Sequence, residues 1–106
     1  MPNYPKLKDR PRSEAEITKE IRYYMREANI WHWKNWAGPM SVAGISDILG
    51  IYKGRFLAVE VKRPGQHPTK KQLNFLERVH REGGLAVCVH SWEELAKFFE
   101  TVEEKP

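Results

Sequence analysis

A single cysteine, Cys88, in a chain of 106 residues excludes an internal disulfide framework. It lies inside the apolar run Leu85-Ala86-Val87-Cys88-Val89-His90, a setting for a small core residue rather than a nucleophile or a metal ligand. The four histidines, His32, His67, His80 and His90, form no H-x-x-x-H pair and there is no C-x-x-C, so a structural zinc site is not expected. Long apolar runs are missing too. No window approaches the ~18 residues of a membrane span, and no membrane partner is expected. The first dozen residues, MPNYPKLKDRPR, lack the apolar core of a signal peptide, from which a cytoplasmic protein is expected.

What is present is ordinary for one soluble globular domain: 41% hydrophobic and 30% charged residues, with no visible internal repeat. A chain of this length buries roughly two thirds of its unfolded surface, enough for one modest core and no second folded unit. The formal charge of +4 argues only weakly for a polyanionic partner, but its distribution is informative. Lys62, Arg63, Lys70 and Lys71 fall within ten residues that hold no acid. Residues 1–12 combine three prolines with four basic residues and read as a flexible basic arm, leaving 13–106 as the folded domain.

From Ser13 the apolar residues Ile17, Ile21, Tyr24, Met25 and Ala28 recur at helical spacing, and Asn29 can take the left-handed conformation that ends a helix, which predicts a helix over 14–28. IWHWKNW, residues 30–36, alternates and is aromatic, and predicts a strand. AGPMSVAG reads as a loop able to approach a ligand closely. ISDILGIY and RFLAVEVK are then two strands joined by Lys53-Gly54, a two-residue hairpin signal. Thr69-x-x-Gln72 opens a second helix, Gly83-Gly84 closes it, LAVCVH is a buried strand, and Ser91-x-x-Glu94 opens a third helix. The order is α-β-β-β-α-β with a C-terminal helix. The sheet is mixed, because its last strand is reached through a helical crossover.

The hairpin has a chemical consequence. A two-residue loop at Lys53-Gly54 pairs Tyr52 with Arg55, and carrying that register onward sets Asp47 opposite Glu60, with Cβ atoms about 5 Å apart on one face. Lys62 shares that face by the period of two. Opposed carboxylates repel unless one keeps its proton or a cation joins them. A hard divalent ion, Mg²⁺ or Mn²⁺, suits two carboxylates and the Val61 carbonyl, and Lys62 beside it would act on an attacking water and on charge developing at phosphorus. A solvated surface hairpin is the competing reading. It fits poorly with Ile45, Ile48, Leu49, Ile51 and Phe56–Val59, which leave neither face polar along its length.

Gly44-Ile45-Ser46-Asp47-Ile48 followed by Phe56-Leu57-Ala58-Val59-Glu60-Val61-Lys62 resembles the D…E-x-K signature of the PD-(D/E)XK nuclease superfamily, with Ser46 where many members have proline. Within it, the chain closely resembles the stand-alone, phage-type VRR-nuc (virus-type replication-repair nuclease) domain. The likeness runs from about Glu14 to Phe99 through AEITKEIRYYM, FLAVEVKRPG, PTKKQLNFLERV and GGLAVCVHSWEEL. It implies a restriction-endonuclease-like core with a mixed central sheet flanked by helices, and Mg²⁺- or Mn²⁺-dependent hydrolysis of DNA phosphodiester bonds. Asp47 and Glu60 would be metal ligands and Lys62 the catalytic lysine. The family's helical glutamate falls on Glu16, with Glu20 as substitute, and its helical glutamine on Gln72, although both Glu16 and Gln72 also complete capping boxes.

Further expectations follow from the resemblance: preference for branched or four-way (Holliday) junction DNA, a homodimer, and a role in DNA repair or recombination in a bacterial or phage-infected cell. A restriction-like duplex endonuclease and a catalytically silent DNA-binding module are the alternatives. Lys70 and Lys71, at a helix start, are natural phosphate contacts, with Arg63 and Lys34 as further backbone contacts. Trp31, Trp33 and Trp36 could stack on unpaired bases or fill the core or a dimer interface, and packing is expected for at least two of them.

Overall fold

In the computed structural model, residues 12–36 and 42–103 are described. The basic arm other than Arg12, the middle of the loop before Asp47 and the last three residues lie outside this range. The elements run α1 (Glu14–Glu27), β1 (His32–Lys34), β2 (Ile48–Tyr52), β3 (Arg55–Val61), α2 (Lys70–Arg81), β4 (Leu85–Val89) and α3 (Trp92–Glu100), the order read from periodicity. The sheet order is β1-β2-β3-β4, antiparallel except for the parallel β3–β4 pair that the α2 crossover requires.

Local chemistry sets the boundaries. Ser13 and Thr69 cap α1 and α2, each side chain accepting the N–H three residues on while Glu16 and Gln72 accept the cap N–H in return. Ser91 accepts the Glu94 N–H, but the Glu94 carboxylate turns instead to the His90 N–H and ring Nδ1. Asn29 has φ 58°, the left-handed turn foreseen after α1. At the hairpin, Lys53 and Gly54 have φ 49° and 75°, a pair of left-handed residues whose twist matches the strands. Lys53 is held there by its ammonium, which donates to the Val102 carbonyl at 3.0 Å.

Alternation along β3 divides the protein. Leu57, Val59 and Val61 face α1 and α3 and join Ile17, Ile21, Met25, Ile48, Leu85, Val89, Leu95, Phe99 and Val102 in the main core. Tyr24 stacks on Trp92 at 5.2 Å and Tyr52 on Phe99 at 4.2 Å, fastening α3 to α1 and to β2. On the other side, α2 lays Leu76 and Val79 over Ala58, a much smaller cluster flanked by Leu49, Phe75, Ala86 and Cys88.

The tryptophans of the β1 region stay outside the chain's own core. Trp31, Trp33 and Trp36 are 69%, 39% and 75% exposed. The reason is positional: β1 is the edge strand, only three residues long, α2 covers the β3–β4 half of the face that carries Trp31 and Trp33, and Trp36 lies beyond the strand's end. Arg12, placed at the end of the flexible arm by composition, folds back on α1, where its guanidinium pairs with the buried Glu20 carboxylate at 2.8 Å.

Candidate active site

The hairpin register is the expected one, from Tyr52↔Arg55 to Ile48↔Val59. The ladder stops one pair short of Asp47 and Glu60. There the Asp47 side chain replaces the main chain: its Oδ2 accepts the Val61 N–H at 2.8 Å, while its carbonyl accepts the Asn35 N–H at 2.8 Å. Asp47 is thereby held from both neighbouring strands. The loop leading to it is pinned as well. Gly44, at φ 89°, lies so close to α2 that a Cβ there would come within 2.7 Å of the Lys71 carbonyl oxygen, so only glycine fits.

Glu60 is 1% exposed, and its Oε1 is buried without a hydrogen-bond partner among the described residues. Burial pushes its carboxyl up to about 9, followed by hydrogen bonding to Asp47 and the charge of Asp47. At neutral pH Glu60 therefore keeps its proton and shares it with Asp47, the first of the two ways out of like-charge repulsion. Lys62 opposes this shift, which places its ammonium within electrostatic reach of the pair, and its main-chain N–H donates to the Val89 carbonyl at 3.0 Å.

Two neighbours were missed by sequence reasoning. Glu14, in the first turn of α1, adds the last and smallest push on Glu60. It is the α1 acid whose charge reaches the pair, whereas Glu16 closes the Ser13 capping box and Glu20 takes Arg12. Of the three, Glu20 is the fully buried one, while Glu14 and Glu16 are half-buried. Cys88 lies beside Glu60 in the parallel β3–β4 register, and burial first, then Glu60, raises its thiol to about 11. It is a neutral side wall, in keeping with its reading as a small packing residue.

The remaining candidates lie around this row. Gln72 closes the α2 capping box, its Oε1 accepting the Thr69 N–H at 2.8 Å. Lys70 and Lys71 are exposed in the first turn of α2, against the Gly44 loop, where unpaired helix N–H groups and positive side chains coincide. Arg63 is exposed at the first position of a turn closed by the Gln66 N–H on its carbonyl. Lys34 sits on β1 with its ammonium 4.1 Å from the Trp36 ring centroid.

Among the described residues, no three His, Cys, Asp or Glu side chains stand close enough to hold an ion by themselves. The donor set still fits a hard divalent ion. Two carboxylates meet, one with an orphaned buried oxygen, and an ion such as Mg²⁺ keeps several waters and needs only one or two carboxylates from the protein.

No protein-family model matches the sequence, and no curated protein sequence is significantly similar to it. Solved structures do match. One named "VRR_NUC domain protein" superposes with a TM-score of 0.71 at 19% identity, over 86% of this chain and 88% of its own. Another, named "VRR_NUC domain", gives a TM-score of 0.69 at 23% identity, over 87% of this chain and 100% of its own. The likeness is one of fold: the chain has the α/β fold of the VRR_NUC domain structures, the one implied by its D…E-x-K segment. No helix among the described residues is long and apolar enough to cross a membrane.

Proposed function

We propose that the protein is a Mg²⁺- or Mn²⁺-dependent endonuclease that hydrolyses DNA phosphodiester bonds, with preference for branched DNA such as four-way junctions. The observation that carries this reading is the buried Glu60 carboxyl beside Asp47, which is fixed by the Val61 N–H, with Lys62 on the same face. A fold built only for stability gains nothing from two opposed carboxyls in a nearly dry site. A silent DNA-binding module gains less, since they repel phosphate.

Asp47, Glu60 and the Val61 carbonyl would hold the ion. When bound, it supplies the positive charge that polarises a phosphate and favours an ionised nucleophile. The protein's own residues do the rest. Asp47 is oriented by the Val61 N–H, so its remaining oxygen has a defined direction. Glu60 must give up its proton to act as a ligand, and the nearby Lys62 ammonium favours that ionisation. Lys62 also donates to the phosphate oxygens on which charge builds and steers a water for in-line attack, leaving 5′-phosphate and 3′-hydroxyl ends. Lys70, Lys71, Arg63 and Lys34 contact the backbone around the cut. A homodimer would bring two such sites to a symmetric junction.

The test is cleavage of four-way junction, flap, single-stranded and linear duplex DNA by wild type and Asp47→Ala, with Mg²⁺, Mn²⁺ or EDTA. Junction cleavage that needs the metal and drops at least about a thousandfold in the variant is expected. Activity persisting in EDTA or in Asp47→Ala would sink the metal mechanism. Equal cutting of linear duplex would remove the branch preference, and salt-sensitive binding without cleavage would favour the silent module.

A further inference from the structure

The half of the sheet face that α2 leaves bare is aromatic, and it leads into the carboxyl row. Register sets Trp31, Ile51 and Phe56 in one row across β1, β2 and β3, and Trp33, Leu49 and Ala58 in the next. Asn35, Asp47 and Glu60 follow. Each step is two residues, about 7 Å along the strand. Trp31, Trp33, Ile51 and Phe56 are all exposed, and the two indoles lie 5.2 Å apart, inclined at 58°.

At its far end from the carboxyls, the strip meets positive charge. Beyond Trp31, Arg22, Arg26, Asn29, Ile30 and His32 complete a cleft of about 330 Å³ with no acid in its lining. Arg22 keeps a buried Nε without a hydrogen-bond partner among the described residues, and Arg26 is the neighbour whose charge acts on it. Lys34 adds a third cation from the other side of the same edge strand. Indoles on one side of an edge strand with cations along its rim match the two parts of an unpaired nucleotide, an aromatic base and an anionic backbone. A duplex, whose base faces are stacked away, offers nothing to the indoles. An apolar protein partner would not call for the arginines.

We propose that β1 is the docking track for an unpaired stretch of the DNA substrate. Its bases stack on Trp33 and then Trp31, and its backbone follows Lys34 toward the Arg22–Arg26 cleft, leading away from the phosphate held at Asp47 and Glu60. The inference rests on the nuclease reading and sharpens it. The preferred substrate carries unpaired nucleotides beside the cut, so a splayed arm or flap is held more tightly than a fully paired junction.

The test is equilibrium binding of the full chain in EDTA, so that cleavage does not enter. Labelled splayed-arm and linear duplex DNA are titrated with wild type, Trp31→Ala/Trp33→Ala and Trp31→Phe/Trp33→Phe, with circular dichroism as the check on folding. Splayed-arm affinity is expected to fall about tenfold for each tryptophan removed, to return largely with phenylalanine, and to leave duplex affinity in place. Equal losses on both DNAs, or none, overturn the proposal. So does a wild-type dimer that the alanine variant converts to monomer with unchanged DNA affinity, which would make the strip a self-association surface. A protein that binds as expected but cuts no DNA in Mg²⁺ would instead refute the nuclease reading and leave the track standing.

Discussion

The two faces of β3 differ more than any two separate regions of the molecule, although their residues alternate along seven positions. Leu57, Val59 and Val61 look toward α1 and α3 and are wholly buried in apolar company. Ala58, Glu60 and, just beyond, Lys62 look toward the α2 side, where packing is thin and Glu60 is buried in its neutral form. One face holds the fold together and the other holds a carboxyl in a state that costs stability. Because a strand must alternate, a single short segment serves both demands without a compromise at any one residue.

The largest stability effect should come from the packed face. Leu57→Ala opens a cavity in the main core and is expected to cost about 2–5 kcal/mol, read as a lower urea midpoint. Three residues further on, the opposite sign is expected. Glu60→Gln removes the ionisable carboxyl facing Asp47 while keeping its shape, so the metal-free protein should melt roughly 4–8 °C higher, equivalent to about 1 kcal/mol, while cleavage is lost.

The pH profile sharpens the contrast. Glu60 titrates near 9 in the folded protein against an ordinary value of 4.5, so between these the folded state retains a proton that the unfolded chain releases. Its stabilising contribution is complete below about 4.5 and is lost as pH rises toward about 9, giving a melting temperature that falls over that window in EDTA. Glu60→Gln should flatten the slope and Leu57→Ala should not. The smallest effect belongs to Thr69→Ala, which removes one half of the α2 capping box and should cost about 1 kcal/mol by urea unfolding.

What could be read from the sequence was what local chemistry decides. The two capping boxes, the left-handed Asn29 and the Lys53-Gly54 turn each depend on residues within four positions, and all are present. From that turn the register ran far enough to bring Asp47 to Glu60. What could not be read depends on distant surfaces. The long-range effect of Glu14 on Glu60 depends on where α1 lies over the sheet. The place of Cys88 beside Glu60 needs the parallel register of a crossover, which no tight turn announces. The exposure of Trp31 and Trp33 follows from α2 lying over the other half of their face, a fact absent from the alternation of IWHWKNW.

The Lys53-Gly54 turn works as a ruler held at one end, with the two facing carboxyls at the other. Five ladder pairs separate the bend from Asp47 and Glu60, so one residue added or lost at the bend shifts the whole partnership by a step. Glu60 would then stand beside a residue from the opposite face. A length change of this kind would separate Asp47 from Glu60 while leaving both side chains in the sequence. In descendants of this chain, the spacing between Asp47 and Glu60 should tolerate less variation than the identity of many residues between them.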